Sequence, residues 1–409
     1  MIAMPDILVI QPGFPMEIPY YVRGLAQSGA RVLGVGDQPV EALPAVARDA
    51  LAAYLQVGNL WDAPALIRDL RRWEVPVKLD RVECLWEAAM EVAAEVRQAF
   101  ELPGLDCEHT AWFRDKHRMR RRLEAAGVRN IRYDRARSRQ ELLVAAERVG
   151  FPLIVKPAAG AGSSNTYRVD RPQELTRLLP ALAAVREAVV EEFVTGTEFT
   201  FDTLCAGGRI LFHNVLRYTP TMLESRSQEW ISPQNMILRD LETPEFHAAR
   251  RLGEQVLQAL EFRTGFTHME WFLTPSGEVV FCEIAARPPG GMTGELMNYC
   301  CDFDVYRAWA STILHGRIDQ DIERRYNVAM IFKRAIGHGR IVRIEGLREL
   351  YRHFGPHVVR HELLPVGAPR RDWKQTLISD GFVILRHPEL AAAERMSRFV
   401  AENVRLHAA

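Results

Sequence analysis

Residues 265–291 read GFTHMEWFLTPSGEVVFCEIAARPPGG, the most informative segment of the chain. Two apolar runs with alternating polar positions flank a Pro-Ser-Gly sequence, which predicts two antiparallel strands joined by a tight turn. Alternation places His268 and Glu270 on one face of the first strand, and Glu283 on the same face of the second. With a turn of two or four residues, we expect His268 to oppose Glu283 and the two glutamates to be diagonal neighbours.

Two carboxylates on such a hairpin are costly unless a cation compensates them. Mg²⁺ prefers oxygen ligands and commonly binds protein carboxylates together with phosphates. Arg287 follows the second strand, in a loop that Pro288 to Gly291 keep open, where a guanidinium suits a phosphate or a developing oxyanion. The segment therefore favours metal–phosphate chemistry. A structural Arg–Glu ion pair beside a surface turn is the alternative.

Two earlier segments carry related signals. Lys156 ends an apolar run, and positions 158–165 read AAGAGSSN. A lysine at a strand end suits a phosphate, and the backbone N–H groups of a small-residue loop can approach an anion closely. Positions 191–198 read EEFVTGTE, a strand end followed by a turn and a further acid. Taken singly, the two segments also fit a surface hairpin and an exposed sheet edge.

Composition limits the classes of function. The 409 residues carry 52 Lys+Arg and 52 Asp+Glu, so there is no basic excess of the kind that nucleic-acid or anionic-membrane binding requires. The arginine-rich stretch 114–139 favours a solvated helix face followed by a basic loop, and a surface that attracts a polyanion such as ATP is the alternative. Its one aromatic residue, Tyr133, does not make the interleaved series that single-strand binders use. No apolar run approaches the roughly 18 residues of a membrane span. The six cysteines are scattered without CxxC spacing, which indicates free thiols and a cytoplasmic location.

The N-terminal part alternates apolar strand patterns with helical patterns, which predicts a parallel βαβ arrangement and an α/β fold. We expect a helix-rich stretch over 64–100 with a boundary at 102–104, and a further helix over 172–186. A chain of this length should contain several domains, since single cores stop growing near about 250–300 residues. Walker-type, HExxH and GxSxG motifs are absent from the sequence.

The order of the three segments is more specific than any one of them. From about 111 to 312 the chain resembles the ATP-grasp superfamily. The resemblance implies an α/β fold, α+β in parts, with a parallel N-terminal domain, a small lid domain, and a mixed-sheet catalytic domain with a C-terminal extension. The corresponding division is an N-terminal domain over 1–105, a linker helix and lid over 106–193, a catalytic subdomain over 194–318, and an extension over 319–409.

The resemblance also implies roles for individual residues. The lysines and the glycine-rich loop would hold ATP phosphates, the 191–198 segment the adenine and ribose, the two glutamates Mg²⁺ (or Mn²⁺), and the arginine the charge of the transition state. The nucleotide-binding residues are Lys116, Lys156, Gly160, Gly162, Ser163, Ser164, Glu191, Phe193, Val194 and Glu198; the metal ligands are Glu270 and Glu283; the catalytic residues are Arg287 and His268, the latter more as an orienter of a glutamate than as an acid or base.

One position departs from the superfamily pattern. Ala285 stands where many members have Asn two residues after the second metal glutamate, so the way in which a second ion is held stays open. The segment 217–230 mixes charges and aromatics and is expected to be an insert lining the substrate pocket. An exposed loop is the alternative. Substrate contacts are expected from Arg217, Glu224, Arg226, Gly290 and Gly291.

The superfamily mostly activates a carboxylate as an acyl phosphate and joins it to an amine. The run from Glu283 to Gly291 is similar to the branch of L-amino-acid ligases, so we expect a carboxylate–amine ligase that forms an amide or dipeptide and releases ADP and phosphate. The alternatives are an ATP-grasp carboxylase or formate-dependent transformylase, and a non-catalytic nucleotide-binding regulator. The expected partners are small molecules. The sequence names neither acid nor amine nor pathway, and the assembly stays open, with homodimers common among similar proteins.

Overall fold

The computed structural model describes residues 4–75, 78–157, 166–180, 182, 186–376 and 378–409. In these residues it has the predicted mixed α/β architecture, with one parallel sheet, two antiparallel sheets and a small mixed sheet. Across these residues, no helix combines the length and the apolar character needed to cross a membrane. The expected phosphate loop residues Gly160, Gly162, Ser163 and Ser164 lie outside the described residues.

The first part of the chain forms a four-stranded parallel sheet with the order β3-β2-β1-β4. Apolar runs make the strands, and the helices cover them, so that both faces are buried. The helix-rich stretch expected over 64–100 contains α3 and α4, and the three-residue strand β4 lies between these helices. The elements are β1 (Asp6–Ile10), α1 (Ile18–Gln27), β2 (Arg31–Gly36), α2 (Ala45–Arg48), β3 (Ala53–Gln56), α3 (Ala63–Arg72), β4 (Arg81–Glu83) and α4 (Met90–Ala99).

A second, antiparallel sheet has the order β5-β8-β6-β7. Its apolar face packs on two helices in a small core of its own. The helix expected over 172–186 ends at Leu178, two residues before Pro180. The elements are α5 (Cys107–Arg114), α6 (Lys116–Ala125), β5 (Tyr133–Ala136), α7 (Arg139–Val149), β6 (Leu153–Pro157), β7 (Tyr167–Val169), α8 (Pro172–Leu178) and β8 (Ala188–Glu192).

The largest sheet is antiparallel and has eight strands, and a three-stranded sheet lies near the C-terminus. Strands from both sides of position 318 share the large sheet. The elements are β9 (Thr197–Ala206), β10 (Arg209–Thr219), α9 (Met222–Ser227), β11 (Gln234–Ile237), α10 (Pro244–Ala259), β12 (Gly265–Leu273), β13 (Val279–Ala285), α11 (Thr293–Cys301), α12 (Val305–His315), β14 (Asn327–Phe332), β15 (Ile336–Gly337), β16 (Ile341–Glu345), α13 (Leu347–Phe354), β17 (Val358–Leu363), β18 (Gly381–His387), α14 (Leu390–Asn403) and β19 (Arg405–Ala408). The large sheet runs β13-β12-β9-β10-β11-β14-β18-β17, and the small one runs β15-β19-β16.

The predicted hairpin is β12–β13, but its predicted register was wrong. Leu273 pairs with Val279, so the connection is one residue longer than the longest turn considered. A bulge at Cys282 adds a second residue, since Trp271 pairs with Phe281 while Glu270 pairs with Glu283. The longer turn alone would shift the register by one residue and place Glu283 on the face opposite to Glu270. The extra residue of the bulge returns Glu283 to the same face as Glu270. Glu270 and Glu283 are therefore directly opposite each other.

Helix α1 of the parallel sheet packs against α12 next to the large sheet. The aromatic rings of Tyr21 and Tyr306 meet edge to face, with centroids 4.8 Å apart. The ring of Trp309 also packs on Tyr21, with a centroid distance of 5.4 Å. Gly24 allows the close approach, because a Cβ atom there would lie 2.6 Å from the backbone oxygen of Tyr306. This contact fixes the parallel sheet against the rest of the molecule.

We expect Gly24→Ala to destabilise the protein. The added methyl group meets helix backbone, which cannot rotate away, and overpacking of this kind costs about 1–3 kcal/mol. The thermal unfolding midpoint should fall by several degrees. Gly58→Ala is the matched control, because a Cβ atom at Gly58 meets nothing within 4 Å and its φ is not positive. Equal midpoints for the two variants would show that the α1–α12 contact is not tight.

Candidate active site

One face of the large sheet collects the polar side chains of three neighbouring strands. Glu270 pairs with Thr200 on β9, and His268 pairs with Asp202. Glu198 lies two positions before Thr200, so it shares their face. The alternate residues of the same strands, with Trp271 among them, point into the opposite core beneath α10. Alternation along β9 and β12, together with the bulge in β13, thus separates an apolar face from a face that carries three glutamates.

The three glutamates of this face are Glu198, Glu270 and Glu283. Glu198 is buried, and the backbone N–H of Met222 donates to its Oε2 at 2.7 Å. Burial, and next the charge of Glu270, raise the pKa of Glu198 to about 8. Lys116 forms an ion pair with Glu283. Desolvation alone would raise the pKa of Glu283, but this lysine lowers it. Carboxylates crowded in this way suit a cation.

A buried hydrogen-bond network holds His268 beside Glu270. Its Nδ1 lies 2.6 Å from Oδ1 of Asp202, and its Nε2 lies 3.6 Å from Oε1 of Glu270. Asp202 is completely buried and also accepts hydrogen bonds from Thr200 and Asn214. Burial alone would lower the pKa of His268, but Asp202 and Glu270 raise it to about 9. The imidazole is therefore held in place from both ring nitrogens.

Glu191 lies at the centre of a second group of charges, on β8. Its Oε1 accepts a hydrogen bond from Nη2 of Arg120 at 2.6 Å, and its Oε2 pairs with Lys156. Burial alone would raise the pKa of Glu191, but Arg120 and then Lys156 lower it to about 2. Both carboxylate oxygens are thus engaged by cations. The adenine contact expected of Glu191 would use the acceptor capacity that remains on these two oxygens.

The segment after β8 passes from the four-stranded sheet to the large one. Phe193 donates its backbone N–H to the oxygen of Pro152, and the guanidinium of Arg168 stacks over its ring at 4.1 Å. Val194 follows directly, before β9 begins. Both residues therefore lie at the junction between the two sheets, the place where a nucleotide base could contact the backbone of either.

Arg287 is held by a residue that the sequence did not single out. Its Nε donates to Oε2 of Glu87 at 2.8 Å, and Nη1 of Arg114 donates to the other oxygen at 2.6 Å. Burial alone would raise the pKa of Glu87, but Arg287 and then Arg114 lower it. These three side chains line one cavity with Lys116 and Glu283. His268 also lines this cavity.

Three of the expected substrate contacts do not reach this cavity. Arg217 lies on the opposite face of β10, where it pairs with Glu394 at 2.6 Å. Arg226 donates to the backbone oxygen of Lys374. Thr221 caps the start of α9, where its hydroxyl accepts from the backbone N–H of Glu224 and donates to the Glu224 carboxylate. The segment 217–230 is therefore part strand and part helix and not a pocket loop. The segment instead contributes the backbone N–H of Met222, which donates to Glu198.

Gly290 and Gly291 do follow Arg287, in the turn before α11. Gly291 has a φ of 66°, a conformation that glycine adopts without strain, and Gly290 accepts a hydrogen bond from the Thr293 hydroxyl at 2.7 Å. Ala285, where many ATP-grasp members carry Asn, lies directly opposite His268. A larger cavity of about 540 Å³ lies elsewhere, between the β9–β10 turn and α10, away from all of these residues.

The described residues contain no group of three or more His, Cys, Asp or Glu side chains arranged to hold a metal ion. Glu270 and Glu283 nevertheless supply the carboxylate oxygens that Mg²⁺ prefers, and Mg²⁺ sites of one or two carboxylates are commonly completed by water and phosphate oxygens. The excess of carboxylates and the raised pKa of Glu198 fit a bound cation. The side chains on this face therefore suit a metal that arrives with a phosphate ligand.

Comparison with protein families decides the identity of this region. The sequence profile described as the ATP-grasp domain matches residues 149–295. These residues form an ATP-grasp domain. The matched range contains Lys156, Glu191 to Glu198, and the β12–β13 hairpin with its two glutamates, which are the segments that carried the resemblance in the sequence.

Individual proteins of known activity are also similar to this chain. The chain is 27% identical over 219 residues to an L-arginine-specific L-amino acid ligase of Bacillus subtilis, covering 52% of each protein. It is 28% identical over 258 residues to a formate-dependent phosphoribosylglycinamide formyltransferase of Synechococcus, covering 60% of this chain and 63% of the relative. The chain thus spans about half the length of the first curated relatives that it matches. The crystal structure of an L-amino acid ligase from Bacillus licheniformis superposes with a TM-score of 0.77, at 20% identity and 99% coverage of both chains.

Proposed function

We propose that this chain is an ATP-dependent carboxylate–amine ligase that joins a small carboxylic acid to an amine, with an amino acid as one of the two. The observation that carries the proposal is the cavity in which Lys116, Glu283 and Arg287 meet beside Glu270. Cations and carboxylates alternate there, as the transfer of a phosphoryl group requires. The names of the two L-amino acid ligases among the similar proteins support the choice of reaction.

In this proposal each side chain acts on the nucleotide or on the acid. Lys116 and Lys156 bind phosphates after leaving their glutamate partners, and Glu198 binds the ribose. Glu191 and the backbone of Phe193 and Val194 contact the adenine. The glycines and serines of the 158–165 loop are proposed to cover the phosphates.

Mg²⁺ bound by Glu270 and Glu283 would neutralise charge on the ATP phosphates. Arg287 stabilises the negative charge that develops as the acid becomes an acyl phosphate and the amine attacks it. Asp202 orients His268, which in turn keeps Glu270 in position. Phosphorylation is needed because a carboxylate oxygen leaves poorly, whereas phosphate leaves readily.

The test is phosphate release from Mg-ATP with paired amino acids and small acids, followed by mass spectrometry of the product. A ligase should release phosphate only when both substrates are present, and its product should be lighter than their sum by one water. Omission of either substrate is the control. Release that requires bicarbonate or formate would instead support the carboxylase or transformylase alternative, which the formyltransferase relative favours. ATP binding without any release would favour a regulator.

A further inference from the structure

Three aromatic side chains contact one another at one edge of the parallel sheet. The ring centroids of Phe14 and Trp86 are 5.1 Å apart, and those of Trp61 and Trp86 are 5.4 Å apart, both edge to face. Phe14 follows β1, Trp61 follows β3 and Trp86 follows β4, so all three come from the carboxyl ends of strands. We call these three residues the aromatic surface.

The aromatic surface is open to solvent. Phe14 is 49% exposed and Trp61 is 50% exposed, although both rings are in contact with Trp86. Single exposed apolar side chains are common, but a contiguous exposed group of large rings usually marks a binding site. Burial of these rings within the core would have been more favourable than their display at a sheet edge.

The strand order places this surface where ligands bind in open α/β sheets. The order β3-β2-β1-β4 means that the chain leaves β1 toward β2 on one side and later returns to place β4 on the other side. The loop after β4 therefore lies beside the loop after β1 at the carboxyl edge, at the change of strand direction where open α/β sheets commonly bind ligands. Phe14 and Trp86 lie on these two loops, and their rings contact each other there.

The aromatic surface adjoins the ATP-grasp site through one peptide bond. Trp86 directly precedes Glu87, which binds Arg287 and Arg114. The loop that holds Arg287 in place therefore also carries the central ring of the aromatic surface. The two guanidiniums disfavour a cationic side chain nearby, and the adjacent Asp62 already accepts a hydrogen bond at the start of α3. The local charges and rings suit an apolar group.

We propose that the aromatic surface binds the side chain of the acid that is phosphorylated, and that this acid carries a large apolar or aromatic side chain. The proposal rests on the proposed function, since it names the substrate class of that site. The rings supply apolar area, and their edge-to-face contacts hold the aromatic surface in place before the acid arrives. Arg287 then binds the carboxylate of the acid, and the aromatic surface binds its side chain.

The experiment compares phenylalanine, leucine, alanine and arginine as the acid, with one amine and saturating Mg-ATP. The wild-type kcat/KM for phenylalanine should exceed that for alanine by about 10-fold or more. Trp61→Ala should reduce this ratio about 10-fold, mainly by raising the KM for phenylalanine. The KM for ATP, measured in a separate titration, should change much less. Trp61→Phe should retain most of the preference, which separates lost contact from lost folding.

Tyr351→Ala is the matched control, because Tyr351 is a 43% exposed aromatic residue on α13, outside the site. It should leave the preference unchanged. A wild-type preference for alanine or arginine would overturn this inference and leave the ligase proposal standing, and so would a Trp61→Ala variant that slows all four acids equally. Absence of phosphate release with every acid and amine would contradict the proposed function itself, and this inference with it.

Discussion

Glu283→Gln should lower phosphate release by about 10²–10³-fold, the loss expected when one charged group that stabilises the transition state is removed. Glutamine keeps the size of the side chain and removes its charge. The variant leaves Glu270 as the only carboxylate of the opposed pair, and Lys116 without its partner. Phosphate oxygens would then face a site that binds Mg²⁺ poorly.

The fold should tolerate this change, because the Glu283 side chain is 37% exposed and Lys116 can turn to water. The thermal midpoint is therefore expected to stay near that of the wild type. Glu278→Gln is the matched control. It changes the same chemical group on the same hairpin, where Glu278 forms an exposed pair with Arg129. Wild-type release by Glu283→Gln, or an equal loss in both variants, would refute the metal assignment.

The sequence predicted the fold class and the central hairpin because both depend on local patterns. Alternation in GFTHMEWF is enough to place His268 and Glu270 on one face, and the structure agrees. Register depends on turn length and on the bulge at Cys282, which no local pattern marks, so the opposition of Glu270 and Glu283 was missed. Asp202 could have been found, because polar residues alternate along β9 from Glu198 onward.

Other site residues had no signal in the sequence. Glu87 follows the three-residue β4, which the helical pattern around it concealed. Its partners Arg114 and Arg287 lie 27 and 200 residues away. Arg120 is one of ten arginines in the stretch 114–139, whose charge pattern favours a solvated face. Its burial follows from contacts with the carboxylate of Glu191 and the ring of Tyr133. Contacts between distant elements are set by the tertiary fold and produce no regular spacing of residues in the sequence.

Arg120→Leu should have the largest effect on stability. The Arg120 side chain is 2% exposed, and its partner Glu191 is 6% exposed. Removal of one member of a buried ion pair leaves an uncompensated charge and typically costs about 3–5 kcal/mol. Lys156 still pairs with Glu191, so we expect the lower end of that range. Because the chain contains several sheets, the loss should be measured locally, by hydrogen exchange of the β8 amides.

Exchange of these amides should be about 10²-fold faster in Arg120→Leu, since each 1.4 kcal/mol corresponds to a factor of ten. Arg118→Leu is the matched control on the same helix. Its side chain is 60% exposed and 3.9 Å from Asp115. Exposed pairs of this kind contribute about 0–1 kcal/mol. Similar exchange in the two variants would show that the Arg120–Glu191 pair is worth no more than a surface pair.

The pH dependence of β8 amide exchange tests the same ion pair through the ionisation of Glu191. The pKa of Glu191 is lowered to about 2 in the folded chain, from an ordinary value of 4.5. A lowered pKa means that its contribution is complete above about pH 4.5 and is lost as the pH falls toward 2. The double variant Arg120→Leu/Glu191→Leu carries neither charge, so it should recover protection and lack this acid-sensitive loss. Equal acid sensitivity in wild type and double variant would assign the loss to other carboxylates.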